Sequence, residues 1–96
     1  MKRYEIMYIV RPNLEEEARN NLINSINEIF VKFESETPKV DEWGMRDLAY
    51  EINDFKKGYY VVLDVNASVD AINEVDRVIK LKEDVIRHIV ISRDEK

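Results

Sequence analysis

A chain of 96 residues, 45% of them apolar and 36% charged, carries enough hydrophobic material for one modest core and too much for a disordered tail. It has no cysteine, which excludes disulfides, thiolate catalysis and zinc-finger chemistry. Its net charge of −5 is opposite in sign to the surplus that a stand-alone nucleic-acid binder uses to displace counterions from phosphates. No window is long and apolar enough to span a bilayer, and Met1-Lys2-Arg3-Tyr4-Glu5 lacks the apolar stretch of a signal peptide. Residues 1–96 are therefore expected to form one soluble, cytoplasmic domain.

Lys2–Val10 is rich in aromatic and β-branched residues and reads as a strand, with Tyr4, Ile6, Tyr8 and Val10 on one face and Met7 and Ile9 on the other. Pro12 ends it, because proline cannot donate to a ladder. Asn13 is placed to cap a helix, and Glu16 three residues on completes a capping-box pattern. Ala18, Leu22, Ile26, Ile29, Phe30 and Phe33 recur at steps of three and four, one apolar stripe on a helix running to about Lys32. A second strand follows Pro38, interrupted at Gly44 by a bulge or bend. After it Leu48, Tyr50 and Ile52 alternate cleanly. Residues 53–58 form a polar turn.

Residues 59–65 are the most apolar strand, with Tyr59, Val61, Leu63 and Val65 on one face and Tyr60 and Val62 on the other. Ser68 caps a second helix whose Ile72, Val75 and Ile79 form a stripe, with Val78 beside it. Val85–Ser92 is the last strand. The order strand, helix, strand, strand, helix, strand, joined by right-handed crossovers, predicts an α+β chain: the ferredoxin-like split β-α-β fold. Its four-stranded antiparallel sheet has the order 4-1-3-2 and carries both helices on one face. The first and third strands, apolar on both sides, take the centre.

Catalytic patterns are thin. His88 is the sole histidine, mid-strand, with no second histidine or cysteine to share a metal, and a lone strand histidine is usually structural. Two glycines cannot build a phosphate loop, and the runs Glu15-Glu16-Glu17 and Asp94-Glu95 read as solvated charge at a helix start and a tail. No enzyme, metal or cofactor is expected.

Lys57-Gly58-Tyr59-Tyr60-Val61-Val62-Leu63-Asp64 begins like the base-stacking motif of RNA-recognition domains, which share this strand order. It departs where function lies: Tyr60 replaces the small fourth residue, and Val61 and Asp64 replace the later aromatics. Tyr8 and Tyr59 are thus read as packing or partner-facing residues. The expected pairing of first and last strands sets Arg93 near Lys2 and Arg3. At the other end it sets Arg87 and His88 near Arg11, with Lys56 and Lys57 close by. These two small basic clusters suit a few phosphate contacts. They serve equally as solubilising charges on an edge.

The segment Trp43-Gly44-Met45-Arg46-Asp47-Leu48-Ala49-Tyr50-Glu51-Ile52-Asn53 resembles the signature of the bacterial small-subunit ribosomal protein S-six family. Gly44, Arg46, Asp47, Leu48, Ala49, Tyr50, Ile52 and Asn53 match it. Arg3-Tyr4-Glu5, Arg11-Pro12-Asn13-Leu14, Lys57-Gly58-Tyr59 and Ile86-Arg87-His88-Ile89-Val90 flank it in the expected order. The resemblance implies the same fold. It also implies a structural role in the ribosome, binding the central domain of small-subunit ribosomal RNA jointly with ribosomal protein S-eighteen. A basic partner would account for the acidic charge. On this reading Leu48 and Tyr50 pack the core, while Trp43, Arg46 and Asp47 meet the partner. Lys2, Arg3, Tyr4, Arg87, His88 and Arg93 are the expected RNA contacts.

Three other readings compete. A stand-alone RNA-recognition-type binder needs base stacking at Tyr8 and Tyr59. An acylphosphatase-like enzyme needs a phosphate-cradling loop, for which Arg11-Pro12-Asn13 is too short and has no glycine. A protein-only interaction module differs from the ribosomal reading in lacking RNA.

Overall fold

The computed structural model describes residues 1–93. It contains β1 (Lys2–Val10), α1 (Glu16–Lys32), β2 (Lys39–Ile52), β3 (Phe55–Ala67), α2 (Val69–Leu81) and β4 (Val85–Ser92). The strands form one antiparallel sheet in the order β2-β3-β1-β4, so the two most apolar strands are central, as expected. Alternation decides which side chains meet the helices. Tyr4, Ile6, Tyr8 and Val10 from β1 join Val61, Leu63 and Val65 from β3 in one core with Leu22, Ile26 and Phe30 of α1 and Ile72, Val75 and Ile79 of α2. Ile9 and Val62 point the other way. They are also buried, yet they stand outside that core on a face that no helix of the described residues covers.

The helices begin differently. Ser68 caps α2 as expected, its Oγ accepting from the Ala71 N–H at 3.1 Å, a bond that contributes about 1 kcal/mol. Asn13 does not cap α1. The N-cap is Glu15 with no side-chain bond, because Asn13 Oδ1 instead accepts from Arg11 Nη1 at 2.8 Å within the loop. Of the stripe on α1, Leu22, Ile26 and Phe30 are buried, Ala18 and Phe33 are exposed, and Ile23 joins the core.

β2 carries the expected bulge. Glu42 lies opposite Val61 and Gly44 opposite Tyr60, which leaves Trp43 as the extra residue; Gly44 adopts φ +89°, a conformation open to glycine. The turn after it is shorter than the polar run suggests. Asn53 and Asp54 take φ 51° and 69°, a two-residue turn that these two side-chain types tolerate, and Ile52 pairs with Phe55. β3 therefore starts four residues before Tyr59, and the ends of β2 and β3 run past β1 as a two-stranded ribbon. This ribbon corrects the expectation for Leu48 and Tyr50. Neither lies in the core between sheet and helices: Leu48 is half-buried close to Gly58 and Ile9, and Tyr50 is 64% exposed.

Candidate nucleic-acid and partner interface

The antiparallel pairing of β1 with β4 gathers one basic cluster at an end of the sheet. Arg93 donates its backbone N–H to the Arg3 carbonyl at 2.8 Å, and Lys2 and Arg3 are exposed beside it. Arg3 reaches across the uncovered face to Asp64 on β3 through two bonds, Nε to Oδ1 at 3.0 Å and Nη2 to Oδ2 at 2.7 Å. That hydrogen bonding holds the Asp64 carboxyl below the usual carboxylate range. Arg93 Nε lies 3.8 Å from Glu5 Oε1. Tyr4, expected as an RNA contact, is in the core with 8% of its surface exposed, because β1 alternation turns it toward the helices.

The second cluster separates by face. Arg87 lies opposite Ile9 and His88 opposite Tyr8, so their side chains leave opposite sides of β4. Arg87 Nη1 donates to the Tyr50 hydroxyl at 2.8 Å. His88 instead meets α2 on the covered side: its Nε2 lies 2.7 Å from Asp76 Oδ1, and Lys80 Nζ is 3.0 Å from the other carboxylate oxygen. Asp76 is held below its ordinary pKa, first by the His88 hydrogen bond and then by Lys80. Arg11, at the same end of the sheet, is tied to Asp84, its Nε bonding Oδ1 at 2.6 Å. Lys56 and Lys57 sit on the ribbon rather than in a turn, Lys57 opposite Asp47.

The uncovered face supplies the other surface. The bulge turns Trp43 onto it, where its ring stacks on Tyr60 with centroids 6.3 Å apart and planes 10° apart. The Arg46 guanidinium stands 5.0 Å from the Trp43 ring, and Trp43 Nε1 donates to Asp41 Oδ2 at 3.1 Å. Asp47 is exposed on the ribbon beyond them. Tyr60 is the functional candidate that sequence reasoning leaves unused. Its position on the face of Val62 is legible from alternation, but its contact with Trp43 depends on a bulge register that alternation does not give.

Tyr8 and Tyr59 lie on the covered side. Tyr8 is fully buried, and desolvation pushes its phenol well above the ordinary range. Tyr59 donates to Glu42 Oε1 at 2.6 Å, a bond that raises its pKa, and the Arg19 guanidinium lies 3.8 Å over its ring. Neither ring offers the uncovered sheet face a stacking platform, so the RNA-recognition-type reading loses both residues it needs. Among the described residues no group of three or more His, Asp or Glu could hold a metal ion, and no helix is long and apolar enough to cross a membrane.

The fold and its surfaces define a ferredoxin-like binding protein, with a sheet covered on one side, aromatic on the other, and basic at its ends. The comparisons take this further: a family model described as ribosomal protein S6 matches residues 3–92, and the chain belongs to that family of small-subunit ribosomal proteins, a structural and not an enzymatic class. The crystal structure of 30S ribosomal protein S6 from Thermotoga maritima matches with a TM-score of 0.90 and 31% sequence identity, over 96% of this chain and 87% of that chain.

Proposed function

We propose that this chain serves the small ribosomal subunit by binding the central domain of its RNA together with ribosomal protein S-eighteen. The observation that carries the reading is the uncovered sheet face. Trp43, Ile89 and Ile91 are 44%, 44% and 38% exposed there, on a chain with a net charge of −5. An apolar face on an acidic protein suits a basic protein partner better than it suits bare RNA. Trp43, braced by Tyr60 and Arg46, is the anchor of that contact, with Arg46 and Asp47 at its margin. The RNA contacts are Lys2, Arg3, Arg87 and Arg93, at the two ends of the sheet. Tyr4 leaves the set because it is buried, and His88 because it faces Asp76.

The test is a titration of the chain onto a central-domain RNA fragment with and without S-eighteen. Tight binding that requires S-eighteen is expected, and Trp43→Ala should weaken the joint complex by roughly 2 kcal/mol. Equal affinity with and without S-eighteen would sink the cooperative role. A protein-only module remains the second reading, favoured by the tie between Arg3 and Asp64. Capture of S-eighteen with no RNA in the complex would select it.

A further inference from the structure

Tyr50 and Arg87 belong to the two edge strands of a four-stranded sheet, with both central strands between them, yet their side chains meet. They can do so because the ribbon curls over the uncovered face, setting Leu48, Tyr50 and Ile52 around a shallow depression with Ile9, Tyr60 and Arg87. The bond therefore sits where the ribbon crosses the sheet.

The arginines of this chain differ in what answers their charge. Arg3 is paired with Asp64, Arg11 with Asp84 and Arg77 with Glu74, Arg93 lies near Glu5, and Arg19 and Arg46 stand against the Tyr59 and Trp43 rings. Arg87 has no carboxylate partner among the described residues; its side chain bonds a neutral hydroxyl. A carboxylate would fix the guanidinium but compete with any phosphate for it. A tyrosine hydroxyl fixes one Nη and leaves the positive charge whole. The remaining donors of the planar guanidinium then point in a set direction, the arrangement that two phosphate oxygens take up in a bidentate contact. The Tyr50 hydroxyl accepts from Arg87, so its own proton is available to a further acceptor.

We propose that Tyr50 is a positioning residue, which orients the uncompensated Arg87 guanidinium to receive an RNA phosphate. The inference rests on the reading that Arg87 meets RNA and adds how that contact is prepared. It also explains why the Leu48-Ala49-Tyr50 run ends in an exposed phenol rather than a core aromatic. Holding the side chain before binding removes part of the ordering cost at the moment of contact.

The experiment measures assembly of the full chain with S-eighteen on the central-domain RNA fragment across a range of salt concentrations, together with thermal midpoints. It compares wild type, Tyr50→Phe, Arg87→Ala and the double variant. Tyr50→Phe keeps the ring, so the midpoint should stay unchanged while affinity falls roughly three- to tenfold. Arg87→Ala should lower affinity and reduce the salt slope by about one. The double variant should bind no more weakly than Arg87→Ala alone. Independent, multiplying losses would overturn the proposal, as would a lowered midpoint with unchanged affinity in Tyr50→Phe, which would make Tyr50 a ribbon anchor. If Arg87→Ala leaves affinity and slope intact while wild type assembles, Arg87 is not an RNA contact and the proposal falls with it. Failure of wild type to assemble would instead overturn the ribosomal RNA reading.

Discussion

Gly58 lies where the ribbon leaves the sheet, and a methyl group on its Cα would run into the Ile9 Cγ2 methyl and come within 3.6 Å of Leu48 Cδ2. Ile9 is buried and β-branched, so its methyl cannot swing aside as the end of a long side chain would. Gly58→Ala is therefore expected to destabilise the chain by about 1–3 kcal/mol, seen as a lower urea midpoint at unchanged slope. An unchanged midpoint would show that Ile9 yields. In the sequence Gly58 reads as a turn residue, since nothing local reveals a neighbour 49 positions away. Gly44 is different: a bulge in an edge strand follows from its chain context, and the structure has it. The same contrast separates the candidate contacts. Trp43 beside a bend is legible as an exposed aromatic, and it is 44% exposed. Tyr4 is legible as core, because it alternates with Ile6 and Tyr8, and that alternation is a better guide than its place in a basic segment.

Asp76 ties α2 to β4, bonded to His88 on the strand and to Lys80 one turn along the helix. Its carboxyl lies below the ordinary value of 3.8 in the folded chain, so the unfolded chain takes up the proton first as pH falls. The stabilisation it supplies is present above that value and disappears as pH drops through the depressed folded value. Asp76→Asn should thus lower the thermal midpoint at neutral pH, with the two curves converging in acid as the carboxylate takes up its proton. Parallel curves across that range would show the carboxylate to be idle. Elements themselves are largely readable: both helices, β1 and β4 fall where periodicity puts them. The ribbon is not. Its turn is set by Asn53 and Asp54 accepting left-handed backbone, whereas the polar composition of residues 53–58 reads as six residues of loop.

At the scale of the whole molecule, strand order follows from the sequence because right-handed crossovers leave little choice once six elements are in hand. Where partners bind does not follow, because contacts such as Trp43 on Tyr60 and Tyr50 with Arg87 join residues from different strands through bulge and twist. The sheet is built with one layer of helices, and its second face is only partly dry, through Ile9 and Val62. The wet remainder around Trp43, Ile89 and Ile91 has a calorimetric consequence. Apolar surface in water carries an excess heat capacity of about 0.45 cal/K/mol per Å², and covering it releases that excess. Docking of a protein on this face should therefore have an enthalpy that grows more negative as temperature rises. An enthalpy flat with temperature would mean that the water over Trp43 stays in place when the complex forms.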